Sequence, residues 1–183
     1  AVESLEQGQG GWLVAASTQF YGESGGQEGD LGEVNTESGG ADVLETLKPA
    51  ADLTVHKIFV NEGALAQGQT ATLSVNARTR MATTRNHTVT HLLHSALRQV
   101  LGDHVKQSGS LVGPERLRFD FTHIAPMSPE EIARVEQIVN RAIMDNIPVG
   151  REFVSHKEAV ARGAMALFGE KYGDTVCLVE VPA

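Results

Sequence analysis

Hydrophobic positions divide the chain into two textures. Up to about residue 82, short apolar runs alternate with polar residues and are punctuated by glycine, as in Trp12 to Ala16, Leu53 to Val60 and Ala71 to Asn76. Period-two alternation bounded by glycine predicts strands, and their number predicts a small antiparallel barrel or sandwich. In D-L-T-V-H-K-I-F-V the alternation is imperfect, so both faces of that strand are expected to be partly covered.

From about residue 83 the period lengthens. Val89, Leu92, Leu93, Ala96, Leu97 and Val100 recur at helical spacing between Thr84 and Gly102, and Gly102 supplies a stop. S-G-S-L-V and R-L-R-F-D-F, separated by G-P-E, predict a strand pair around a turn. A second helix is signalled by Ser128 with Glu131 as a capping box, by Pro129 at the first helical position, and by the stripe Ile132, Val135, Ile138, Val139, Ala142 and Ile143. It should end near Asn146, ahead of Pro148. Val149 to Val154 reads as a strand, Ser155 with Glu158 as the start of a helix reaching about Leu167, and Thr175 to Val181 as a last strand. The expected class is α+β, divided into residues 1–82 and 83–183.

Composition narrows the function classes. A chain of 183 residues buries roughly 70% of its unfolded surface, so neither disulfides nor metals are required for stability. With 41% hydrophobic and 21% charged residues it is not a disordered chain. A formal charge of -8 argues against a wholly electrostatic nucleic-acid binder, although a local basic patch can still hold a phosphate backbone. The lone Cys177 excludes an intramolecular disulfide and every multi-cysteine zinc pattern, and it points to a reducing cytoplasmic setting. No apolar run approaches the roughly 18 residues needed to cross a bilayer, and the first residues lack signal-peptide character, so no membrane partner is expected.

Candidate chemistry concentrates on the first helix. His87, His91 and His94 lie at i, i+4 and i+7, on one stripe expected opposite the leucines. Four residues rise about 6 Å, a spacing that lets two imidazoles converge on one ion and equally describes a solvated polar face. A metalloprotease motif is excluded because Thr88 stands where the glutamate base belongs. Two ligands are too few for zinc. Cys177, in T-V-C-L-V-E-V, is a candidate third but reads as a buried structural cysteine, while His56, His104, His123 and His156 share no spacing and read as surface or locally bonded histidines. Gly22, Gly25, Gly26, Gly29 and Gly32 do not form a phosphate cradle, since Glu23, Glu28 and Asp30 would repel phosphate; they permit positive φ and close backbone approach. Arg78, Arg80 and Arg85, between the two textures, are either phosphate contacts or part of a solvated linker.

Three motifs together resemble the editing region of bacterial-type alanyl-tRNA synthetases, across essentially the whole chain. They are F-Y-G-E-S-G-G-Q-E-G-D-L-G (Phe20 to Gly32), N-H-T-V-T-H-L-L-H-S-A-L followed by V-K-Q-S-G-S-L-V and R-L-R-F-D-F, and G-A-M-A-L-F-G-E-K-Y-G-D (Gly163 to Asp174). The resemblance implies a small N-terminal β-barrel followed by an α/β sandwich editing core that hydrolyses seryl- or glycyl-tRNA(Ala). Such a second site has a physical basis, because a pocket selecting alanine rejects the smaller glycine or an added hydroxyl only weakly. The resemblance also places His87 and His91 on a zinc-ligand pair, and Thr90 and Gln107 on the polar lining of the editing pocket. For Gly25 and Gly26 the resemblance favours both barrel turns and admission of the tRNA terminus, with Arg78, Arg80 and Arg85 as the candidate contacts to the acceptor-end phosphates. The remaining zinc ligands of the family form a Cys-x-x-x-His pair following the last strand, where this chain ends in V-E-V-P-A, so the Zn2+ site is expected to be incomplete here. The other implied partners are the remaining domains of the synthetase, which alone would bind ATP. A freestanding trans-editing deacylase and a non-catalytic tRNA-binding module are the alternatives. The general base is not legible: no glutamate lies between Met81 and Gln99, leaving a positioned water or the terminal ribose hydroxyl.

Overall fold

The computed structural model describes residues 2–164 and 173–181. The chain forms two compact units, one of Ala1–Thr88 with Ser110–Arg118, the other of Val89–Gly109 with Phe119–Ala183.

In the first unit, β1 (Ser4–Glu6), β2 (Gly10–Leu13), β3 (Gly32–Asn35), β4 (Gly39–Ala50), β5 (Leu53–Ala66) and β6 (Thr72–Val75) form one antiparallel sheet. The order is β1-β5-β4-β3-β6, with β2 also paired to β5. The uneven alternation in β5 resolves into one buried row, His56, Ile58 and Val60, against an outer row containing Lys57 and Phe59. Parity then switches: Gly63, at φ +63°, lies beside a register shift at Gly40/Ala41, and the next buried residue is Leu65. Phe20, Val34, Ala41, Val43, Ile58, Val60 and Leu65 form the core.

The expected barrel is instead an open sheet. Closure requires the two outer strands to pair, and among the described residues β6 pairs with β3 alone while β1 and β2 share one edge of β5. These edge strands have only three or four residues, too short to close a ring around the 12- and 14-residue β4 and β5.

Three elements pass from one unit into the other: helix α1 (Ala77–Leu101) and the paired strands β7 (Gln107–Val112) and β8 (Leu117–Phe121). Helix α1 begins two turns before the apolar stripe suggests. Asn76 caps it, its side-chain oxygen accepting from Arg78 N at 3.1 Å and Thr79 N at 3.2 Å. The arginines of this stretch therefore ride on helix and not on a linker.

The second unit adds α2 (Pro129–Met144), β9 (Gly150–Ser155), α3 (His156–Ala161) and β10 (Thr175–Glu180). The capping box at Ser128 and Glu131 is formed in both directions, 3.2 Å and 2.8 Å, and Pro129 opens α2 as expected. Val135 and Val139 from α2 join Ala96, Leu97 and Val105 in the core, with Phe119 and Phe121 packed against them. In place of a layered α/β sandwich, the described strands form two separate two-stranded ribbons, β7 with β8 and β9 with β10. Helix α3 is capped by Ser155 and closes early: Gly163, at φ +83°, donates to Val160 O at 3.0 Å in a left-handed C-terminal turn. Most of the motif at Gly163 to Asp174 lies outside the described residues. Cys177 is exposed, not buried, because the odd positions of β10 take the open side of its ribbon, beside Phe153, which is 78% exposed.

Candidate functional site

The glycine-rich segment builds a tight turn aimed at the histidine helix. Ser24 and Gln27 exchange backbone hydrogen bonds, Gln27 N to Ser24 O at 3.0 Å and Ser24 N to Gln27 O at 3.3 Å, across Gly25 and Gly26. Both central glycines have positive φ, +58° and +80°, the signature of a type I′ turn. Gly26 also has no room for a side chain, since a Cβ there would run into the carbonyl of Ser110.

Beyond the turn the backbone is stitched to β7, Glu28 N donating to Val112 O at 2.9 Å and Val112 N to Gly26 O at 2.8 Å. The Gln27 side chain is thereby delivered to α1, where its Oε1 lies 2.5 Å from His87 Nδ1. An amide oxygen only accepts, so the imidazole donates through Nδ1. Asn86, the preceding residue, donates to Gly113 O at 2.8 Å and ties the same stretch of helix to the β7–β8 turn.

The base of the loop is anchored by charge. Asp30, buried, receives Arg80 through Nε at 2.7 Å and through Nη2, and accepts from Tyr21 N at 2.5 Å. Arg80 Nη2 also reaches Gln19 O at 2.9 Å. Its guanidinium pKa is raised above the ordinary value, chiefly by the hydrogen bonds to Asp30. Arg78 and Arg85 are exposed on the same helix.

Within α1 the three histidines diverge. His87 is half-buried and His91 exposed, whereas His94 is buried and faces Phe119, with ring centroids 5.1 Å apart. The stripe is therefore not uniformly opposite the leucines: its C-terminal end turns inward because the second unit's core wraps that part of the helix. His94 donates through Nδ1 to the Val105 carbonyl, leaving Nε2 buried without a partner among the described residues, and burial pushes its pKa below the ordinary value. Thr90 is buried on α1, and Gln107, half-buried, opens β7. Among the described residues no group of three or more His, Cys, Asp or Glu is placed to hold a metal ion.

Two features escaped the sequence. Gln27 contacts His87 from 60 positions away, with no signal beyond the glycine pair that precedes it. His56, expected at a surface or in a local bond, fills an inward slot of β5 with both nitrogens satisfied, Thr18 Oγ1 at 2.9 Å and Leu13 O at 3.2 Å. Burial lowers its pKa, and Phe20 meets the ring edge-on.

Comparison with known proteins gives this geometry its context. The family described as tRNA synthetases class II (A) matches residues 1–79. The chain is 57% identical over 182 residues, all of its length, to an alanine-tRNA ligase of Oleidesulfovibrio alaskensis, covering 21% of that protein. It is 57% identical over 181 residues, 99% of the chain and 21% of the relative, to that of Nitratidesulfovibrio vulgaris. With that of Sorangium cellulosum it shares 53% over 175 residues, 96% of the chain and 19% of the relative. The chain thus spans about a fifth of the length of these relatives. No helix among the described residues is long and apolar enough to cross a membrane. From end to end, the chain is homologous to a segment of alanine-tRNA ligase.

Proposed function

We propose that this segment is the editing portion of an alanyl-tRNA synthetase and hydrolyses the ester joining serine or glycine to tRNA(Ala). The observation that carries the reading is the Gln27–His87 contact, which fixes the orientation of one imidazole of H-x-x-x-H. The editing core is taken as residues 83–183, with Gln27 supplied by the preceding glycine-rich part.

In the reaction a water oxygen attacks the ester carbonyl. The bond to the terminal ribose oxygen breaks, and that oxygen takes up the proton. His87 and His91 are the residues that would hold zinc; when bound, the ion would act as a Lewis acid toward the aminoacyl group. Thr90 and Gln107 supply the hydrogen bonds that separate a serine hydroxyl from the methyl of alanine, since a polar group left unpaired in a closed pocket costs about 1–3 kcal/mol. Gly25 and Gly26 let the tRNA terminus approach backbone, while Arg78 and Arg85 contact acceptor-end phosphates. Arg80, already engaged with Asp30, serves the same end by holding the loop in place.

Deacylation of serine-charged tRNA(Ala), by the chain extended a few tens of residues past V-E-V-P-A, tests this. Hydrolysis should be lost in His91→Ala and in Gln107→Ala. Equal rates in wild type and His91→Ala would remove the histidine from the reaction; an extended protein that binds tRNA(Ala) without hydrolysing it would identify a non-catalytic module.

A further inference from the structure

Helix α1 carries one histidine that the proposed hydrolysis leaves unused. His94 is 6% exposed and lies against the core of the second unit, its ring centroid 5.1 Å from that of Phe119. Its Nδ1 donates to the carbonyl of Val105, itself fully buried, while Nε2 has no partner among the described residues. Leucine would fill such a place without burying an unpaired nitrogen, so packing alone does not account for an imidazole here. What the ring adds is the bond to the Val105 backbone.

That bond spans a chain reversal. Gly102, at φ +112°, follows the end of α1, and Val105 N donates to Gly102 O at 3.2 Å. His94 stands about 12 Å down the helix from Gly102, and Val105 lies within a reach of about 10 Å on the other side of it. The chain therefore folds straight back along α1. It is extended from there, since Lys106 O accepts from Thr122 N at 3.0 Å and β7 opens at Gln107. From Val105 to Gln107 the strand advances about 6.6 Å, and from His94 back to Thr90 the helix retreats about 6 Å. The two steps match. Positions i and i+4 share a helix face, and i and i+2 share a strand face. Whatever aligns His94 with Val105 thus aligns Thr90 with Gln107, and all four residues belong to the second unit.

We infer that His94 is a positioning residue, its Nδ1–H pinning the Val105 carbonyl in the register that sets Gln107 opposite Thr90. The functional consequence rests on the editing reading; the register itself does not. One residue of slip at the start of β7 would turn Gln107 to the other face of the strand and away from Thr90. The hydrogen bonds that separate serine from alanine would then lose one of their two donors, with the helix and its other histidines in place. Asparagine carries an N–H the same number of bonds from the backbone as Nδ1, whereas leucine suits the apolar surroundings and has no donor. Packing and positioning therefore rank the two replacements in opposite orders.

The test compares His94→Leu and His94→Asn in the extended protein, with serine- and alanine-charged tRNA(Ala) as substrates. His94→Leu should lower kcat for the seryl ester about tenfold or more at unchanged KM, and shrink the preference for serine over alanine by a similar factor. His94→Asn should recover most of both, although it is the less stable of the two to urea. In the NMR spectrum a nuclear Overhauser contact between the Thr90 methyl and the Gln107 side-chain amide should be present in wild type and His94→Asn and absent in His94→Leu. Unchanged kcat and preference in folded His94→Leu, activities that follow the order of stability, or no such contact in wild type overturns the inference. If the wild-type protein does not hydrolyse seryl-tRNA(Ala), the editing reading falls, and the Overhauser contact alone decides the register; it decides equally should His94→Leu fail to fold.

Discussion

The anchoring pair under the glycine-rich loop offers a quantitative test. Arg80→Met keeps the aliphatic stem and removes the guanidinium. The Asp30 side chain, 6% exposed, then retains only the Tyr21 N–H of its two anchors. Removing one partner of a fully buried ion pair costs about 3–5 kcal/mol, because the other charge is left uncompensated. The Arg80 side chain is 37% exposed, so water already screens its end, and the expected loss falls to about 2–3 kcal/mol. Urea unfolding followed at Trp12, the sole tryptophan, reads the first unit directly. With a slope of about 1–3 kcal/mol/M, the midpoint should drop by about 1 M. Asp30→Asn/Arg80→Met removes both charges and should recover at least half of the loss, a coupling of about 1 kcal/mol or more. An unchanged midpoint in Arg80→Met, or strictly additive losses in the double variant, would refute the claim that this pair anchors the loop.

Other consequences are equally accessible. Gly26→Ala imposes a Cβ on a positive-φ residue against the Ser110 carbonyl and should cost more than the roughly 1 kcal/mol of a strained turn alone; a urea midpoint equal to wild type would contradict the close approach. Gln27→Leu removes the acceptor for His87 Nδ1, so nitrogen-15 NMR should show His87 losing its fixed Nδ1–H tautomer while His56 keeps its own; an unchanged His87 spectrum would mean that Gln27 does not set it. Burial lowers the pKa of both His56 and His94. The folded state therefore binds fewer protons than the unfolded chain, so their contribution to stability is complete above the unfolded value of about 6.5 and is lost as pH falls below it. Urea midpoints at pH 7.5 and 5.0 should differ in that direction, and the difference should shrink in His94→Leu; a stability that rises on acidification would reverse the assigned sign.

What could be read from the sequence was what depends on neighbours. Helix α2 follows from Ser128, Pro129, Glu131 and a stripe of aliphatic residues, all signals within one or two turns. The same reasoning misplaced the start of α1, because apolar periodicity reports only the buried half of a helix, and residues 77–88 are held by the Asn76 cap without an apolar stripe. Barrel closure was not legible either, since it depends on whether strands some 60 residues apart pair at their outer edges. Positive φ at Gly25 and Gly26 was anticipated from residue type, but the glutamine they deliver was not. Cys177 shows the limit of parity arguments: alternation in T-V-C-L-V-E-V distinguishes two faces without saying which one a helix will cover.

The Ser24–Gln27 turn has a consequence for how this loop tolerates change in length. Gln27 bridges Ser24 on one side and Val112 on the other, so its side-chain direction is fixed by strand parity and not by packing around the side chain. Surface loops usually accept insertions at little cost. Here one added residue between Ser24 and Gln27 would rotate the amide to the opposite face and leave His87 without its acceptor, even if the sheet beneath remained fully folded.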